Sequence, residues 1–488
     1  MNKKIGVTAL ILMIFSSIFG FANSAVAYLQ MGYASIIWYI LAAILFFLPV
    51  SLMIAEYGST FKDASGGLYS WMKETVGEKV AFCGTFIWIS AWIIWLVATS
   101  NKIYITLSSF LFGKDLTQSI SIFGLNATAS LGLLAILWML ILTALAKRGT
   151  GIISKVSSIG GTFTTAMIGV FLVASIVIII MNHGHLAEPI SFNSFIKSPN
   201  PQFNTTSATL GFVVYAIFAY AGMESFGGLT DSLDKPEKTF PRGLLFASLF
   251  IAIAYSLMIF LWGCTTNWRT VLGRNNITIG NVTFYMMKSL GFTFGQSLHL
   301  GNSTSMMLGD WFMRFTAFGN FIGYIGSMFV LVYTPIKSFI LGSKDLWSEK
   351  VVKLNKHGIP ATALNYQAIL VCVILFLVSF GGSNAQVFYT ILTDMSNIAT
   401  CVPYLFLVAA FPFFKKKGYK QSFEVFKNQK ITVFVTVITM LVLISGILFT
   451  CIDPIVQHQY QTAFWTIIRP IFFGVLALII YSRAKKQK

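Results

Sequence analysis

The sequence predicts an all-α polytopic membrane protein. Of its 488 residues, 56% are hydrophobic and only 10% are charged, against roughly 25% charged residues in a soluble globular domain. Apolar runs long enough to span a bilayer, about 20 residues each, recur along the chain. They lack the alternation of polar and apolar residues that is typical of outer-membrane barrels. These observations exclude soluble globular, disordered, collagen-like and coiled-coil proteins.

Hydropathy predicts twelve transmembrane helices. The first run, Ile5–Gln30, follows two lysines and contains Ala25-Val26-Ala27, a pattern that also fits a signal peptide. We expect a retained helix because the run is long enough to span. No loop has the length of a soluble domain, so residues 1–488 form a single transmembrane domain, with a short helix expected within 266–305. The predicted spans are 5–31, 33–58, 80–111, 127–146, 152–182, 207–232, 243–265, 306–340, 362–380, 385–413, 431–452 and 462–483.

The distribution of basic residues predicts the orientation. The net charge of +18 arises from 34 Lys and Arg against 16 Asp and Glu. If the N-terminus is cytoplasmic, 26 of the 34 basic residues lie in inner segments and five lie in outer loops. An excess of Lys and Arg marks the cytoplasmic side of a membrane protein. We therefore expect an inner (plasma) membrane protein with both termini in the cytoplasm, and no binding of nucleic acid.

Two of the spans carry small and polar residues at mid-depth. The first contains the stretch 15–24 and the sixth the stretch 218–228. Backbone that leaves a helix inside a bilayer must find hydrogen-bond partners in protein, water or ligand. Interrupted helices at matching places in two halves indicate a transporter built from inverted repeats, here about 5–182 and 207–413 with extra helices at about 431–483. The alternative is a face of small residues used for helix packing.

The predicted interruptions also indicate a class of ligand. The start of a half helix offers free N–H groups and a positive dipole end, which suit a carboxylate. The carbonyl oxygens at the end of the other half helix suit an ammonium group. A molecule that needs both is a zwitterion, so the expected substrate is an amino acid.

Ionisable and aromatic residues within the spans provide further candidates. Glu224 lies in the middle of the sixth span, where a carboxylate is costly and therefore indicates function. It could carry a proton or pair with a substrate ammonium; alternatively, it is a structural acid bonded to the unwound part of the first span. Lys102 is expected to extend outward to the membrane surface. Trp88, Trp92 and Trp95 repeat at helical spacing and are expected to pack, with Trp95 deep enough to line a site.

Other functional classes lack their sequence signatures. The five cysteines are scattered through apolar segments, with neither a disulfide framework nor the spacing of a metal site. All five histidines fall in predicted loops, and no glycine-rich phosphate loop occurs. We expect no enzymatic activity, no metal and no cofactor. A channel is the alternative of another class, although the sequence has no charged pore ring.

Three elements resemble one superfamily of transporters. Gly66-Gly67-Leu68-Tyr69-Ser70-Trp71 is similar to the Gly-Gly-x-Tyr/Phe-x-Trp signature of the amino acid–polyamine–organocation superfamily. Gly222-Met223-Glu224-Ser225 resembles its sixth helix, and Val402-Pro403-Tyr404-Leu405 its tenth. The resemblance covers nearly the whole chain. It is strongest to the glutamate:GABA antiporter branch and, within it, to the YjeM-type inner-membrane transporters.

This resemblance implies a fold and a site. The fold is the LeuT-type arrangement of five plus five helices in an inverted repeat, with two additional C-terminal helices. Backbone at 16–20 and 219–222 holds the substrate. Glu224 matches an acid that belongs to the gating and coupling machinery of arginine:agmatine exchangers, and Phe218 matches an aromatic residue over the substrate. Trp95 replaces a polar side chain of those exchangers, so their substrate specificity is not implied.

The sequence therefore predicts a secondary transporter that moves an amino acid, or its decarboxylated amine, across the inner membrane by alternating access. Antiport against an exchanged amino acid is favoured over proton-coupled symport, so the expected partners are the lipid bilayer, the substrate, and a second amino acid or a proton. The sequence does not indicate an oligomeric state. Glu224 and Phe218 are assigned to coupling or gating. The candidate substrate-binding residues are Ser16, Ser17, Gly20, Asn23, Trp95, Phe218, Ala219, Gly222 and Tyr324.

Overall fold

The chain folds into long helices. The computed structural model describes residues 4–64, 66–273, 277, 279–381, 401–456, 458 and 460–486. Within these ranges every regular element is helical except one isolated β-bridge, between Ile5 and Leu233. Ten helical segments in the described part are long and apolar enough to cross a membrane. The prediction of an all-α polytopic protein is confirmed at this level.

The helices follow the hydropathy pattern closely. A 3₁₀ segment, Met223–Ser232, follows α8, and a π turn, Ala43–Phe47, lies inside α3. The predicted loop 266–305 contains the expected helix, α10. The helices are α1 Val7–Ile18, α2 Phe21–Met31, α3 Ala34–Thr60, α4 Gly67–Val76, α5 Glu78–Phe112, α6 Ala127–Ala146, α7 Thr150–Met181, α8 Thr206–Ala219, α9 Pro236–Thr265, α10 Val282–Ser297, α11 Asn302–Gly342, α12 Ala361–Phe380, α13 401–416, α14 Gln429–Val456 and α15 Tyr460–Lys486.

The number of spans is a prediction that the described residues test only in part. The ten candidate spans correspond to ten of the predicted twelve. Of the predicted span 385–413, residues 385–400 lie outside the described residues, and 401–413 belong to α13. The predicted span 462–483 falls within α15, which is helical throughout. Twelve spans, with five plus five in an inverted repeat and two additional C-terminal helices, therefore stay a prediction.

Close packing of α1 sets the position of the site. Helix α1 contacts α7, α9 and α11. A Cβ at Gly161 of α7 would lie 2.0 Å from the carbonyl oxygen of Leu12, and one at Gly326 of α11 would lie 2.3 Å from Ser16 Oγ. Only glycine permits the helices to approach so closely. The middle of the first span is therefore enclosed by protein rather than lipid.

The side of the molecule that carries the chain ends is closed. Ile5 N donates to the carbonyl of Ser232 at 3.1 Å, and Asp234 N donates to the carbonyl of Ile5 at 2.9 Å. Beside this pairing, Lys337 Nζ at the end of α11 binds both carboxylate oxygens of Asp231, at 2.7 and 2.8 Å. Lys337 is only 3% exposed. These contacts join the segment before α1 to the segments after α8 and near the end of α11.

Both described chain ends lie on this same side. Ser338 Oγ of α11 donates to the carbonyl of Gly66 at 2.5 Å, one residue before α4. Helix α5 then begins at Glu78, which pairs with Lys485 near the end of α15 at 2.7 Å. Because Ser338 adjoins Lys337, the first and last helices are anchored at one face of the molecule. We call this the terminal face, and the other the distal face.

A buried ion pair fixes the segment that follows α13. Glu56 of α3 is fully buried, and its Oε2 lies 2.9 Å from Lys415 Nζ. Its Oε1 accepts the backbone N–H groups of Val425 and Phe426 at 2.6 and 2.8 Å. Glu424, which is partly exposed, contacts the same lysine at 2.8 Å. A carboxylate with three donors can be buried without an unpaired charge.

Candidate functional site

The first span is interrupted at mid-depth. Helix α1 ends at Ile18, and α2 begins at Phe21. Between them Phe19 and Gly20 are extended, with ψ of 98° and 102°. The backbone therefore leaves the helix for two residues, as the stretch 15–24 predicts.

The sixth span is also interrupted. Helix α8 ends at Ala219, and the chain continues as the 3₁₀ segment from Met223. Gly222 has a φ of +123°, a conformation that only glycine adopts without strain. The second predicted interruption is thus confirmed. The α-helical hydrogen bonds end at Ala219, and Gly222 supplies the positive φ with which the chain enters the 3₁₀ segment.

A hydroxyl group from α9 connects the two interruptions. Tyr255 is fully buried, and its hydroxyl accepts the N–H of Gly20 at 3.0 Å and the side-chain amide of Asn23 at 3.3 Å. The same oxygen donates to the carbonyl of Ala219 at 3.1 Å. A hydroxyl can donate one hydrogen bond and accept two, so all its capacity is used. Tyr255 was not predicted from the sequence. The signal for it was a hydroxyl-bearing side chain within an apolar run.

A cavity of about 120 Å³ lies at the first interruption. Its walls come from α1 and α2, the distal half of α5, the middle of α7, the end of α8 and the middle of α11. Seven of the candidate substrate-binding residues line it. Twelve further residues of the described part of the chain also line it. The seven are Ser16, Ser17, Gly20, Asn23, Trp95, Phe218 and Tyr324. The twelve are Ile18, Phe19, Phe21, Ala22, Trp92, Thr99, Lys102, Thr164, Ala221, Asn320, Gly323 and Ser327.

Three other candidate residues lie outside the cavity lining. Ala219 presents its carbonyl to Tyr255, and Gly222 donates its N–H to Tyr404 Oη at 2.8 Å. Glu224 is 2% exposed and accepts hydrogen bonds from Trp88 Nε1 at 2.8 Å, from Gly222 N at 3.2 Å and from the Tyr404 hydroxyl. In the described part of the chain, the hydrogen-bond partners of Glu224 come from α5, from α13 and from the interruption of the sixth span. These partners differ from the alternative prediction, in which Glu224 bonds to the unwound part of the first span.

Two polar groups of the lining lack protein partners. In the ranges that the structure describes, neither Ser17 Oγ nor Trp92 Nε1 has a hydrogen-bond partner. Trp92 is only 4% exposed. A buried polar group without a partner costs about 1–3 kcal/mol, so both groups are suited to a bound molecule. Trp92 packs edge-on against Trp95 with ring centroids 5.8 Å apart, as expected, and its Nε1 is available to a bound molecule.

One face of α5 faces the cavity. Trp92, Trp95, Thr99 and Lys102 all line it, and their spacing of three or four residues puts them on one side of a helix. Lys102 lies on the cavity side of α5 and is exposed, so the expectation that its side chain extends outward to the membrane surface stays a prediction. The spacing from Trp95 was the signal that could have identified Lys102.

Interrupted helices around a mid-depth cavity are typical of a multi-pass membrane transporter. The chain belongs to the amino acid permease family, whose model matches residues 5–476. This confirms the resemblance to the amino acid–polyamine–organocation superfamily and the expectation that the protein is a transporter and not an enzyme.

Individual relatives agree with this assignment. The chain is 45% identical to the inner membrane transporter YjeM of Escherichia coli (strain K12), over 98% of this chain and 96% of that protein. It is 23% identical to a glutamate/gamma-aminobutyrate antiporter of Lactococcus lactis (strain IL1403), over 92% and 84%. It is 22% identical to the aspartate/glutamate permease AcaP of Lactococcus lactis (strain MG1363), over 100% and 96%. The first of these names is that of an inner-membrane protein, in agreement with the many apolar helices found here.

Proposed function

We propose that this protein is a secondary transporter that exchanges amino acids across the inner membrane by alternating access. The observation that carries the proposal is the cavity at the interrupted first span, where a hydroxyl and an indole N–H have no hydrogen-bond partner among the described residues. The family supports an amino acid as cargo. The name of the distant Lactococcus antiporter supports exchange as the mode of transport.

The two helix interruptions supply the groups that an amino acid needs. The start of α2, directly after Gly20, provides a positive dipole end for the carboxylate. Ser16 and Ser17 add hydroxyl groups, and carbonyls at the end of α8 accept the ammonium. Phe218 and Tyr324 cover the bound molecule. The proposed substrate-binding residues are Ser16, Ser17, Gly20, Asn23, Trp95, Phe218, Ala219, Gly222 and Tyr324.

Transport requires the closed terminal face to open. We assign this face to the cytoplasm, with both termini there, on the basis of the charge distribution. Twelve spans with inverted repeats at about 5–182 and 207–413 would let one half rock against the other. Glu224 couples this movement to the site, because it joins α5, α13 and the second interruption through hydrogen bonds. Phe218 acts as a gate above the substrate.

Counterflow in proteoliposomes tests the mode of transport. Purified protein is reconstituted into vesicles that are loaded with an amino acid mixture or left empty, and uptake of labelled amino acids is measured. Antiport requires uptake in the loaded vesicles only. Equal uptake in empty vesicles would overturn antiport, and stimulation of that uptake by external acid would favour the proton-coupled symporter. Flux that does not saturate with substrate would indicate a channel.

A further inference from the structure

A long apolar groove runs along the outside of the helix bundle. Its volume is about 810 Å³, several times that of the cavity at the first interruption. Helix α5 forms its floor, α12 and α15 form its walls, and the end of α11 contributes as well. Exposed residues such as Tyr366, Leu370 and Phe472 belong to its lining. The groove therefore opens toward the surrounding lipid.

The length and the lining of the groove suit a hydrocarbon chain. On α12 the lining extends from Ala363 to Leu377, which is about 21 Å of helix. One leaflet of a bilayer has a hydrocarbon depth of about 15 Å. Gln367, a polar residue of the lining, donates its side-chain amide to the carbonyl of Val332 at 3.2 Å. A charged solute would lose its hydration here, whereas an acyl chain gains packing contacts.

Amphipathic aromatic residues mark the end of the groove at the terminal face. Trp347 and Tyr366 line the groove at this end. Trp347 packs against Phe82 and Phe339, with ring centroids 6.2 and 5.4 Å apart. Its indole N–H donates to the hydroxyl of Ser343 at 2.8 Å. Trp and Tyr are enriched at the level of the lipid headgroups, so the groove reaches that level at the terminal face.

Three basic residues surround this end of the groove. In α5, Lys79 lies seven residues before Phe86, which lines the groove. In α15, Arg483 lies seven residues after Leu476, which also lines it. Seven residues are about two helical turns, so both basic residues lie on the groove side of their helices. Lys350 belongs to the short helix between α11 and α12 that contributes to the lining, and all three basic residues are exposed.

The net charge around this end is positive. The segments 73–79, 344–353 and 481–486 hold eight Lys and Arg against four Asp and Glu. A phosphate group of a lipid complements this charge. A second copy of the chain does not, because a symmetric contact through the groove would bring two positive ends together.

We infer that this groove binds an anionic phospholipid, with an acyl chain between α12 and α15 and the phosphate group beside Lys79, Lys350 and Arg483. The inference is independent of the substrate. Helix α5 lines the groove with one face and the substrate cavity with the opposite face. The bound lipid therefore supports the helix that carries Trp92 and Trp95.

Two lipids that differ in headgroup charge test the inference. The purified full-length protein in detergent is titrated with dioleoyl-phosphatidylglycerol and with dioleoyl-phosphatidylcholine, and native mass spectrometry measures the bound lipid. We expect the anionic lipid to bind at least about tenfold more tightly. The double variant Lys350→Gln/Arg483→Gln brings this ratio to about one by weakening the anionic lipid alone. Equal binding of both lipids to the unmodified protein would overturn the inference, and that measurement needs no variant to fold.

The control for surface charge removes two lysines from other helices. Lys155 near the start of α7 and Lys430 near the start of α14 are exposed and lie outside the groove lining. Lys155→Gln/Lys430→Gln keeps the full ratio between the two lipids. An equal loss of this ratio in both double variants would overturn the inference, because the charges would then act through a diffuse field.

A larger side chain in the groove tests the position of the acyl chain. Leu370 of α12 lines the groove and is 46% exposed. We expect Leu370→Trp to weaken the binding of both lipids by about tenfold. Ile369→Trp is the control, because Ile369 is 57% exposed and lies outside the lining. Equal lipid binding by these two variants would overturn the inference, and dissociation of a dimer by Leu370→Trp alone would assign the groove to a second copy instead.

Discussion

A single phenolic oxygen joins the two interrupted spans. Tyr255 of α9 accepts the N–H of Gly20 and donates to the carbonyl of Ala219, so one atom satisfies backbone groups from both interruptions. Groups freed by a helix break inside a membrane must find such partners. The side chain is fully buried, which leaves water little access to replace it. Tyr255 is therefore a positioning residue for both sides of the cavity.

Removing this hydroxyl has a measurable cost. We expect Tyr255→Phe to lower the free energy of unfolding by about 1–3 kcal/mol, because the Gly20 N–H loses its buried acceptor, and to weaken amino acid binding. Melting temperature and proteoliposome uptake measure the two effects. Tyr220→Phe is the control: Tyr220 is equally buried, but its hydroxyl bonds the carbonyl of Tyr39 in α3. Equal losses of uptake in both variants would contradict the role given to Tyr255.

Glu224 offers a second test at this scale. Its carboxylate links Trp88 of α5, Tyr404 of α13 and the N–H of Gly222. Glu224→Gln keeps the size and the acceptor for Trp88 but removes the group that can ionise. We expect the rate of uptake to fall by about tenfold or more, which corresponds to about 1.4 kcal/mol in the barrier, and its pH dependence to flatten. Unchanged rate and pH profile would show that Glu224 neither couples nor gates.

The cavity residues differ in how far the sequence reveals them. Ser16, Ser17 and Gly20 could be predicted, because small and polar residues at mid-depth are unusual in a span that faces lipid. Trp92 and Lys102 were not assigned, because which face of α5 turns inward depends on helix packing; their helical spacing from Trp95 was the only sequence signal for them. Lipid and protein interior are both apolar, so hydropathy does not reveal which face of a membrane helix is buried.

At the scale of whole helices, glycine sets how closely α1 and α7 approach. Gly161 lies against the backbone carbonyl of Leu12, and backbone atoms cannot move aside as a side-chain tip can. We expect Gly161→Ala to lower the free energy of unfolding by about 1–3 kcal/mol through overpacking. Gly169→Ala in the same helix is the control, because a Cβ there has nothing within 4 Å and should be neutral or stabilising. Thermal unfolding of both variants measures the difference, and equal stability would contradict this packing.

The buried pair between α3 and α13 provides a second test of helix anchoring. Glu56→Gln leaves Lys415, which is 6% exposed, without its buried counter-charge. Breaking one partner of a buried pair costs about 3–5 kcal/mol, so we expect a clear fall in melting temperature. Glu424→Gln removes the exposed partner of the same lysine and should cost less than about 1 kcal/mol. A smaller loss for Glu56→Gln than for Glu424→Gln would refute the anchoring role.

Most helix boundaries could be predicted, but the reasons for the interruptions lie in tertiary contacts. The span 127–146 coincides with α6, because apolar length decides where a transmembrane helix begins and ends. The two extended residues before α2 and the 3₁₀ course after Gly222 depend on Tyr255 and Tyr404, which come from distant helices. The ion pairs Glu56–Lys415 and Asp231–Lys337 join residues far apart in sequence, and no local pattern reports them.

At the scale of the whole molecule, one face is closed and the cavity lies toward the other. The pairing of Ile5 with Leu233 and the ion pair of Lys337 with Asp231 close the terminal face. Lys102, on the distal half of α5, is exposed. A transporter that works by alternating access must also adopt a state in which the terminal face is open and the distal face is closed. In the proposed alternating-access cycle, the contacts of the terminal face are the ones that have to break.

Weakening the terminal face should shift this equilibrium. We expect Lys337→Met to raise hydrogen–deuterium exchange at the N–H groups of Ile5 and Asp234 by about tenfold, which corresponds to about 1.4 kcal/mol. Lys288→Met, which breaks an exposed ion pair with Asp310, should leave this exchange unchanged. Mass spectrometry of peptides that contain residues 4–10 and 230–238 reports it. Full protection in Lys337→Met would mean that the ion pair does not hold the face closed.

The small size of the cavity has a consequence for every molecule that enters it. About 120 Å³ equals the liquid volume of about four water molecules. A guest cannot bring its hydration shell into so little space, so each charge that it carries must trade water for a fixed protein group. Selection among solutes then depends on the cost of dehydration. A molecule whose charges do not match the fixed protein groups loses its hydration without forming replacement interactions, and it does not bind.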